Sequence, residues 1–281
     1  MTVPQALILG ILQGLTEFLP VSSSGHLVVA QHYIEGFHQP GILFDVMFHM
    51  GTLFAVLIYY KRDILVILKS LFIGFHFKGK YNDRDSNIYK SQRRLAVLIL
   101  AGTLPTFMIG FLFKDHIGIL FTSVKFTASM LIVTGILLAF ADRIKGKKRD
   151  ANVLTLKDSL LIGLVQGLSI TPGISRSGST ITAGLFMGID GKEAARFSFL
   201  LSIPAILGAT ALEIPAILHI KADDILACTI GTLSAMITGI FAIRFLIRIL
   251  KQEKLRYFAY YCWCLGSMVI LLNLLSSYTH S

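Results

Sequence analysis

The chain has 281 residues, of which 54% are hydrophobic and only 15% are charged, and its mean hydropathy is +0.70. Because soluble domains carry about 25% charged residues, this composition excludes an ordinary soluble domain and predicts an all-α, polytopic membrane protein. The formal net charge of +10 invites a nucleic-acid-binding interpretation. The basic residues stand in short clusters between apolar segments, however, which is typical of cytoplasmic loops. We therefore expect membrane lipids, and no nucleic acid, as partners.

The first apolar segment, residues 5–35, is interrupted by a polar stretch from Gln13 to His26. The stretch contains a carboxylate, three consecutive serines, a proline and an imidazole, which lipid-exposed backbone does not tolerate. Pro20 and the serines leave neither arm near the ~20 residues of a full span. We therefore predict two short helices that fold back as a re-entrant hairpin.

Six further segments are apolar enough and about long enough to cross a membrane. They lie at about 41–60, 95–113, 126–142, 195–212, 225–246 and 258–275. Residues 64–77 carry charges among apolar residues, which favours an interfacial helix, and residues 78–94 are predicted to form a polar loop. A second interrupted segment, residues 160–188, has Thr171 to Thr180 at its centre.

The two interrupted segments belong to an internal repeat. Gln13-Gly-Leu-Thr matches Gln166-Gly-Leu-Ser at an offset of 153 residues, and Gly102-Thr-Leu matches Gly231-Thr-Leu at an offset of 129. Because the matches keep their order, each repeat contains one hairpin and three spans.

Three spans in a repeat are an odd number, so the second hairpin has to enter from the opposite face of the membrane. We predict two inverted repeats, at about 5–142 and 159–276, within a single integral-membrane domain of residues 1–281. Inverted repeats place their interrupted helices at a shared site near the midplane. Both polar tips should meet there.

The distribution of basic residues predicts the orientation. On this topology, 22 of the 26 Lys and Arg residues fall in loops on one side of the membrane. These loops are residues 61–94, 143–157, 192–196 and 244–256. Since basic loops stay in the cytoplasm, the mouth of the first hairpin should face outward.

Arg176 is a permanently charged side chain within an apolar segment, where it needs an anionic partner. That partner is either a phosphate or carboxylate ligand, or Glu17 of the first polar stretch. Glycines let backbone amides approach an anion, and hydroxyls at a loop-to-helix junction can complete the nest. The candidate phosphate-binding group around Arg176 consists of Gly173, Ser175, Ser177, Gly178, Ser179 and Thr180.

Gln13 and Glu17 are spaced i and i+4, so they share a helix face. Their oxygens could hold a hard divalent cation such as Mg²⁺ or Ca²⁺, which often bridges to phosphate. Two alternatives stay open: Glu17 could act as a base, and Gln13 could form an interhelical hydrogen bond.

His26 is the side chain near the first tip that can exchange protons near neutral pH unaided, so it is the candidate general acid or base. The serines before it could donate to phosphate, or one of them could be a nucleophile that His26 activates. These serines are Ser22, Ser23 and Ser24.

Two further residue types favour structural roles. We interpret His49 as a hydrogen-bonded core residue, with Asp45 four positions earlier as its candidate partner. The cysteines Cys228, Cys262 and Cys264 lie in apolar segments without metal-ligand spacing, so we interpret them as apolar filler.

Two motifs resemble the signatures of the undecaprenyl-diphosphate phosphatase family, the bacterial bacitracin-resistance proteins. They are Gln13-x-x-x-Glu17 with the following Phe-Leu-Pro-Val-Ser-Ser-Ser-Gly-His26, and Pro172-Gly-Ile-Ser-Arg-Ser-Gly-Ser-Thr180. The likeness extends over essentially the whole chain. It implies hydrolysis of undecaprenyl diphosphate to undecaprenyl phosphate, which recycles the lipid carrier for cell-wall synthesis. It also implies a divalent cation and a site at the outer face of the bacterial cytoplasmic membrane.

Carried over by motif, the resemblance implies catalytic roles for Glu17 and His26 and a phosphate clamp in Arg176. Ser23 would be the nucleophile or a phosphate donor. The family allows Glu or Gln at the first motif position, and Gln13 leaves one carboxylate rather than two, which weakens a paired-carboxylate metal site. A homodimer is an open alternative to a monomer.

Two other functions are considered. A lipid flippase or transporter would share the inverted-repeat architecture but would release no phosphate. A phosphatase of the acid-phosphatase type is suggested by Ser24-Gly-His26, but Ser175-Arg176 is not followed by the second histidine that its mechanism requires. The nucleophile stays open between Ser23, His26 and water.

Overall fold

The computed structural model describes residues 1–34, 43–76, 83–144, 154–215, 220, 222–252 and 254–279. In those parts the chain forms α-helices joined by short connections. The helices are α1 (Val3–Phe18), α2 (Ser23–Tyr33), α3 (Leu43–Tyr59), α4 (Lys61–His76), α5 (Asp83–Phe121), α6 (Val124–Ala141), α7 (Leu156–Leu168), α8 (Arg176–Phe186), α9 (Gly191–Leu212), α10 (Ala222–Leu250) and α11 (Arg256–Thr279). Most of the predicted basic loop 143–157, namely residues 145–153, lies outside the described residues.

Within the described residues, five helices are long and apolar enough to cross a membrane, which confirms a polytopic membrane protein. They comprise Asn87–Phe113 of α5, Val124–Ala141, Gly191–Leu212, Asp224–Leu250 of α10 and Arg256–Ser276 of α11. The remaining predicted span, residues 41–60, corresponds to α3. It qualifies as a span only together with α4, and the two helices are bent by 78° at Tyr60.

Helix α5 has 39 residues and is longer than predicted. It begins at Asp83, so residues 83–94, which the sequence predicts as a polar loop, are helical. Between Asp83 and Ala101 the sequence contains no glycine or proline, and polar residues alone do not end a helix. The prediction of a loop here was therefore wrong.

The two interrupted segments begin and break in the same way. Thr2 and Thr155 each form a capping box with the residue three positions further on, which satisfies two backbone amides at the start of α1 and α7. Both helices end shortly before a proline, Pro20 or Pro172, which cannot continue a helix because it lacks an N–H.

Helix α1 lies along α10, and α7 lies along α5. Glycines allow these helices to approach at backbone contact, as small residues do between membrane helices. A methyl group built on Gly10 would lie 2.3 Å from the carbonyl oxygen of Gly231, and one on Gly163 would lie 1.9 Å from that of Gly102. Since the sequence repeat relates Gly10 to Gly163 and Gly102 to Gly231, the two contacts involve equivalent positions.

The remaining helices enclose the breaks in the two interrupted segments. Helix α6 packs along α11 and contacts both α2 and α8, while α3 and α9 contact α1 and α8 respectively. Ser22 and Ser175, which lie at the two breaks, are consequently 2% and 1% exposed. The polar tips predicted from the sequence thus lie inside the helical assembly.

Candidate active site

Ser22 shapes the first polar tip, the connection between α1 and α2. Its backbone adopts φ 70° and ψ 95°, a conformation that residues other than glycine rarely adopt. Three hydrogen-bonding groups surround it: its hydroxyl accepts from the Gly25 N–H at 3.2 Å and lies 3.3 Å from Ser24 Oγ, and its carbonyl oxygen accepts from His26 Nδ1 at 2.7 Å. Ser22, predicted to bind phosphate, therefore caps α2.

Ser175 has the equivalent role at the second polar tip, the connection between α7 and α8. Its hydroxyl accepts from the Gly178 N–H at 3.0 Å and lies 3.3 Å from Ser177 Oγ. Thr134 of α6 holds this tip, because its hydroxyl accepts from the Ser175 N–H at 3.0 Å and donates to the Gly173 carbonyl at 2.8 Å. Gly173 has a φ of +90°, which glycine adopts without strain.

The two polar tips contact each other reciprocally. A methyl group on Gly25 of α2 would lie 3.1 Å from Gly173 Cα, and one on Gly178 of α8 would lie 3.2 Å from Pro20 Cβ. The Ser177 hydroxyl also donates to the Leu19 carbonyl at 3.2 Å. Both α2 and α8 begin at this junction, so the positive ends of two helix dipoles lie there.

Glu17 is the charged centre of the junction and is almost completely buried, with a side chain 5% exposed. Arg176 Nη2 donates to its Oε1 at 2.5 Å, while Ser23 Oγ and Gln13 Nε2 donate to its Oε2 at 2.6 and 2.8 Å. These hydrogen bonds offset the cost of burying the carboxylate. The structure therefore brings together four predicted site residues, with Arg176 paired to Glu17, one of the two partners considered.

Several buried polar atoms near this centre have no hydrogen-bond partner among the described residues. They are Arg176 Nη1, Gln13 Oε1 and Ser179 Oγ. Buried polar atoms in native proteins are usually paired. An anion beside Arg176 and a cation beside Gln13 would supply the missing partners.

Other predicted phosphate ligands use their hydroxyls within the protein. Thr180 Oγ1 donates to the Arg176 carbonyl at 2.8 Å and lies 2.6 Å from Ser198 Oγ. Ser24 remains partly exposed. Thr180 therefore holds α8 against α9, and its binding to phosphate remains a prediction.

His26 belongs to the same polar stretch as Glu17, nine positions further on, but its hydrogen bonds go elsewhere. Its Nδ1 bonds to the Ser22 carbonyl and its Nε2 lies 2.7 Å from the hydroxyl of Tyr261 in α11. Among the described residues, its side chain makes no hydrogen bond to Ser23 or Glu17. Ser23, one of the three serines that His26 could have activated, is bonded to Glu17 instead.

His49 is a neighbour of the site that the sequence did not identify. Its Nε2 lies 3.7 Å from Glu17 Oε2, and its side chain is 34% exposed. Its Nδ1 bonds to the backbone carbonyl of Asp45, whereas the Asp45 carboxylate accepts from Gln31. The predicted hydrogen bond between His49 and Asp45 is therefore present, through the Asp45 backbone carbonyl, but His49 is only partly buried and borders the site. No motif surrounds His49, so only the fold could place it here.

The cysteines match their structural interpretation. Cys228 and Cys262 are buried and Cys264 is exposed, and all three are free thiols. The described parts of the chain contain no group of three His, Cys, Asp or Glu side chains that could hold a metal ion. Glu17 and Gln13 Oε1 nevertheless fit a cation of the Mg²⁺ type, which proteins often hold through one or two carboxylates together with substrate phosphate and water.

Comparison with known proteins agrees with the motifs. A sequence model of the family described as "Bacitracin resistance protein BacA" matches residues 6–268. The chain belongs to the BacA family.

Its similarity to individual BacA relatives extends over nearly the full length of both chains. It is 47% identical to a protein of Alkaliphilus metalliredigens over 280 residues, which cover 98% of this chain and 100% of that one. It is 42% identical to a protein of Carboxydothermus hydrogenoformans, covering 96% and 97% of the two chains, and 39% identical to one of Methanobrevibacter smithii, covering 96% and 98%. All three relatives are named undecaprenyl-diphosphatase.

Proposed function

We propose that this chain hydrolyses undecaprenyl diphosphate to undecaprenyl phosphate and inorganic phosphate. The observation that carries the proposal is the buried junction at which Ser23 and Arg176 both bond to Glu17. The names of the BacA relatives support the same reaction and substrate. The reaction would recycle the lipid carrier for cell-wall synthesis and confer bacitracin resistance.

Ser23 and Glu17 form a nucleophile and base pair. The Ser23 hydroxyl donates to the Glu17 carboxylate, which is the arrangement that activates a serine. As Ser23 Oγ attacks the terminal phosphorus, its proton passes to Glu17 and the bond from that phosphorus to the bridging oxygen breaks. Undecaprenyl phosphate leaves, and water then hydrolyses the phosphoserine. In the alternative mechanism, Glu17 activates a water molecule for direct attack. In either mechanism, His26 would act as a general acid or base toward the phosphate groups, because it forms no hydrogen bond with Ser23 or Glu17.

Arg176 clamps the diphosphate in this proposal. Its Nη2 rests on Glu17, while its buried Nη1 has no partner in the described structure and can donate to a phosphate oxygen. Phosphoryl transfer depends mainly on positioning and on stabilising charge, both of which a guanidinium supplies. In this proposal the tips also contribute Ser24 and the Gly173 backbone amide to the phosphate site, whereas the Gly178 N–H is already bonded to Ser175.

A divalent cation, Mg²⁺ or Ca²⁺, would be held by Glu17 and Gln13 together with phosphate oxygens. When bound, the cation would neutralise charge on the diphosphate. The Gln13 Oε1 atom, buried and without a partner in the described structure, is the observation that supports this role. A chelator should therefore abolish phosphate release, and added Mg²⁺ or Ca²⁺ should restore it.

We further propose that the chain consists of two inverted repeats, each with one re-entrant hairpin and three spans. Two observations support this arrangement. Each short helix packs against a long helix of the other repeat, α1 against α10 and α7 against α5. Ser22 and Ser175 cap α2 and α8 with the same hydrogen bond to the glycine three positions further on. The excess of basic residues in one set of loops supports a site that opens to the outer face of the cytoplasmic membrane. A homodimer remains an alternative to a monomer.

A flippase or transporter has no support from the comparisons, because the relatives' names describe a diphosphatase. The two functions differ in one measurement, since a flippase moves lipid without releasing phosphate.

The test is phosphate release from undecaprenyl diphosphate by the purified protein. We expect Glu17→Gln, Ser23→Ala and Arg176→Ala each to lower kcat by about 100-fold or more, as losses of a base or a charge-stabilising group do. Arg244→Ala, at an exposed arginine of α10, is the matched control and should keep normal activity. Normal phosphate release by Arg176→Ala or Glu17→Gln would contradict the assignment.

A further inference from the structure

Tyr261 connects the last helix of the chain to the first polar tip. Its hydroxyl lies 2.7 Å from His26 Nε2, across 235 positions of sequence, and the two rings are nearly parallel, with an interplanar angle of 2° and centroids 5.5 Å apart. The adjacent Cys262 lies against the same tip, with its Sγ 4.0 Å from the Pro20 carbonyl oxygen. Two consecutive residues of α11 thus contact the tip that carries His26.

The partners of His26 determine which of its nitrogens carries the proton. The Ser22 carbonyl oxygen at Nδ1 can only accept, so Nδ1 must carry a hydrogen. In the neutral imidazole, Nε2 then has a free lone pair, and the Tyr261 hydroxyl donates to it. His26 is 6% exposed, so it has little access to solvent, and the Tyr261 hydroxyl is its hydrogen-bond partner on the side facing α11.

A hydroxyl suits this position because it can both donate and accept. When Nε2 takes up a proton, the Tyr261 oxygen can accept from it, and the ring keeps its orientation in both states. A phenylalanine would fill the same space but would leave Nε2 without a partner. The ring of Tyr261 is 46% exposed, so the contact lies at the edge of the helical assembly rather than in its core.

We infer that Tyr261 is a positioning residue, whose hydroxyl fixes the orientation of His26 for proton transfer at the diphosphate site, while the Ser22 carbonyl sets the tautomer. The inference rests on the proposed phosphatase function. It gives His26 a defined partner, although the imidazole does not contact Ser23 or Glu17. Tyr261 acts through His26 and contacts no reacting atom.

The kinetic test compares Tyr261→Phe with Tyr260→Phe in the phosphate-release assay. Tyr260 is the preceding exposed tyrosine of α11 and packs against Trp263. We expect Tyr261→Phe to lower kcat about 10- to 100-fold, as the loss of an orienting partner does, with KM unchanged. Tyr260→Phe should behave as the wild type.

A double variant separates positioning from general damage. If Tyr261 acts only through His26, His26→Ala with Tyr261→Phe should be no slower than His26→Ala alone, because the two effects do not add. An additive loss, or full activity of Tyr261→Phe, would overturn the inference. If the wild type itself releases no phosphate, the proposed function fails instead, and the two failures are therefore distinguishable.

A spectroscopic measurement on the unmodified protein covers the case in which Tyr261→Phe does not fold. With ¹⁵N-labelled histidine, and with His26→Gln to assign the signal, His26 should show the Nδ1–H tautomer with a hydrogen-bonded Nε2. A His26 signal from the Nε2–H tautomer, or from an Nε2 without a hydrogen bond, would contradict the inference.

Discussion

Glu17 shows how single residues of this protein depend on partners far away in the sequence. Its carboxylate accepts from Gln13 in its own helix, from Ser23 across the first tip and from Arg176 of the second tip. Removing one member of a buried ion pair leaves an unpaired charge and usually costs about 3–5 kcal/mol. Variants at this centre should therefore be checked for folding as well as for activity. Residues that hold the tips without carrying charge give a cleaner test.

Thr134 is such a residue, because its hydroxyl bonds to both Gly173 and Ser175 in the loop before Arg176. Thr134→Val would leave the Ser175 N–H and the Gly173 carbonyl without this partner. We expect a loss of about 1–3 kcal/mol in the free energy of unfolding, which is typical of an unsatisfied buried group. Thermal unfolding in detergent would measure it, and kcat should fall with the loosening of Arg176.

Thr229→Val is the control for this prediction. Thr229 is exposed, and its hydroxyl bonds only within its own helix, to the Ile225 carbonyl at 2.8 Å. We expect its free energy of unfolding to change by no more than about 0.5 kcal/mol. If both variants lost the same free energy of unfolding, the contact of Thr134 with the second tip would not stabilise the protein more than an ordinary hydrogen bond within a helix.

At the scale of helices, the interrupted segments are held by close backbone packing. Helices α1 and α7 have 16 and 13 residues, too short to span the ~30 Å hydrocarbon core alone. Each lies against a much longer helix, α10 or α5, through glycines. Polar side chains add to the contact: the Thr106 hydroxyl of α5 donates to the Gly163 carbonyl at 2.8 Å. The long helices thus serve as supports for the short ones.

Gly163→Ala tests this packing. The added methyl group would lie 1.9 Å from the Gly102 carbonyl oxygen, so α7 has to move away from α5. We expect a loss of about 1–3 kcal/mol or more, because overpacking forces the backbone apart. Gly208→Ala in α9 is the matched control, since no atom lies within 4 Å of the added methyl group. It should be neutral or stabilising in the same thermal unfolding measurement, and equal losses would contradict the packing argument.

The sequence predicted those parts of the fold that depend on local chemistry. The two apolar segments break at the polar stretches, as predicted, and the charge of Arg176 in an apolar segment required an anionic partner, which Glu17 supplies. The length of α5 was missed because polar residues alone were taken to end a helix. His49 and Tyr261 were not identified, since their role depends on tertiary contacts that no local pattern encodes.

For the whole molecule, the orientation of the two hairpins determines on which side each loop lies. Two connections test this orientation: the one between α5 and α6, and the one between α10 and α11. Between them the chain crosses the membrane three times, in α6, α9 and α10, and also passes through the second interrupted segment, α7 and α8. If that segment returns to its own side, the two connections lie on opposite sides of the membrane. If α7 and α8 together crossed once, they would lie on the same side.

Cysteine labelling distinguishes these topologies. In a background with the three native cysteines replaced, Thr122→Cys and Gln252→Cys place single thiols in the two connections, at exposed positions. We expect a membrane-impermeant maleimide to label Thr122→Cys in intact cells, and Gln252→Cys only after the membrane is opened. Labelling of both from outside would exclude the re-entrant hairpin, and the reverse pattern would exclude the proposed orientation.

The contact of α1 with α10 also has a consequence for how the protein is made. Helix α1 is among the first segments to leave the ribosome, but its support is synthesised roughly 200 residues later. Until then the polar tip with Glu17 lacks the glycines of α10, and it also lacks Arg176 until α8 has been synthesised. The first interrupted segment therefore lacks its packing partners during most of translation, and a chain that ends before α10 should be recognised and degraded by membrane proteases.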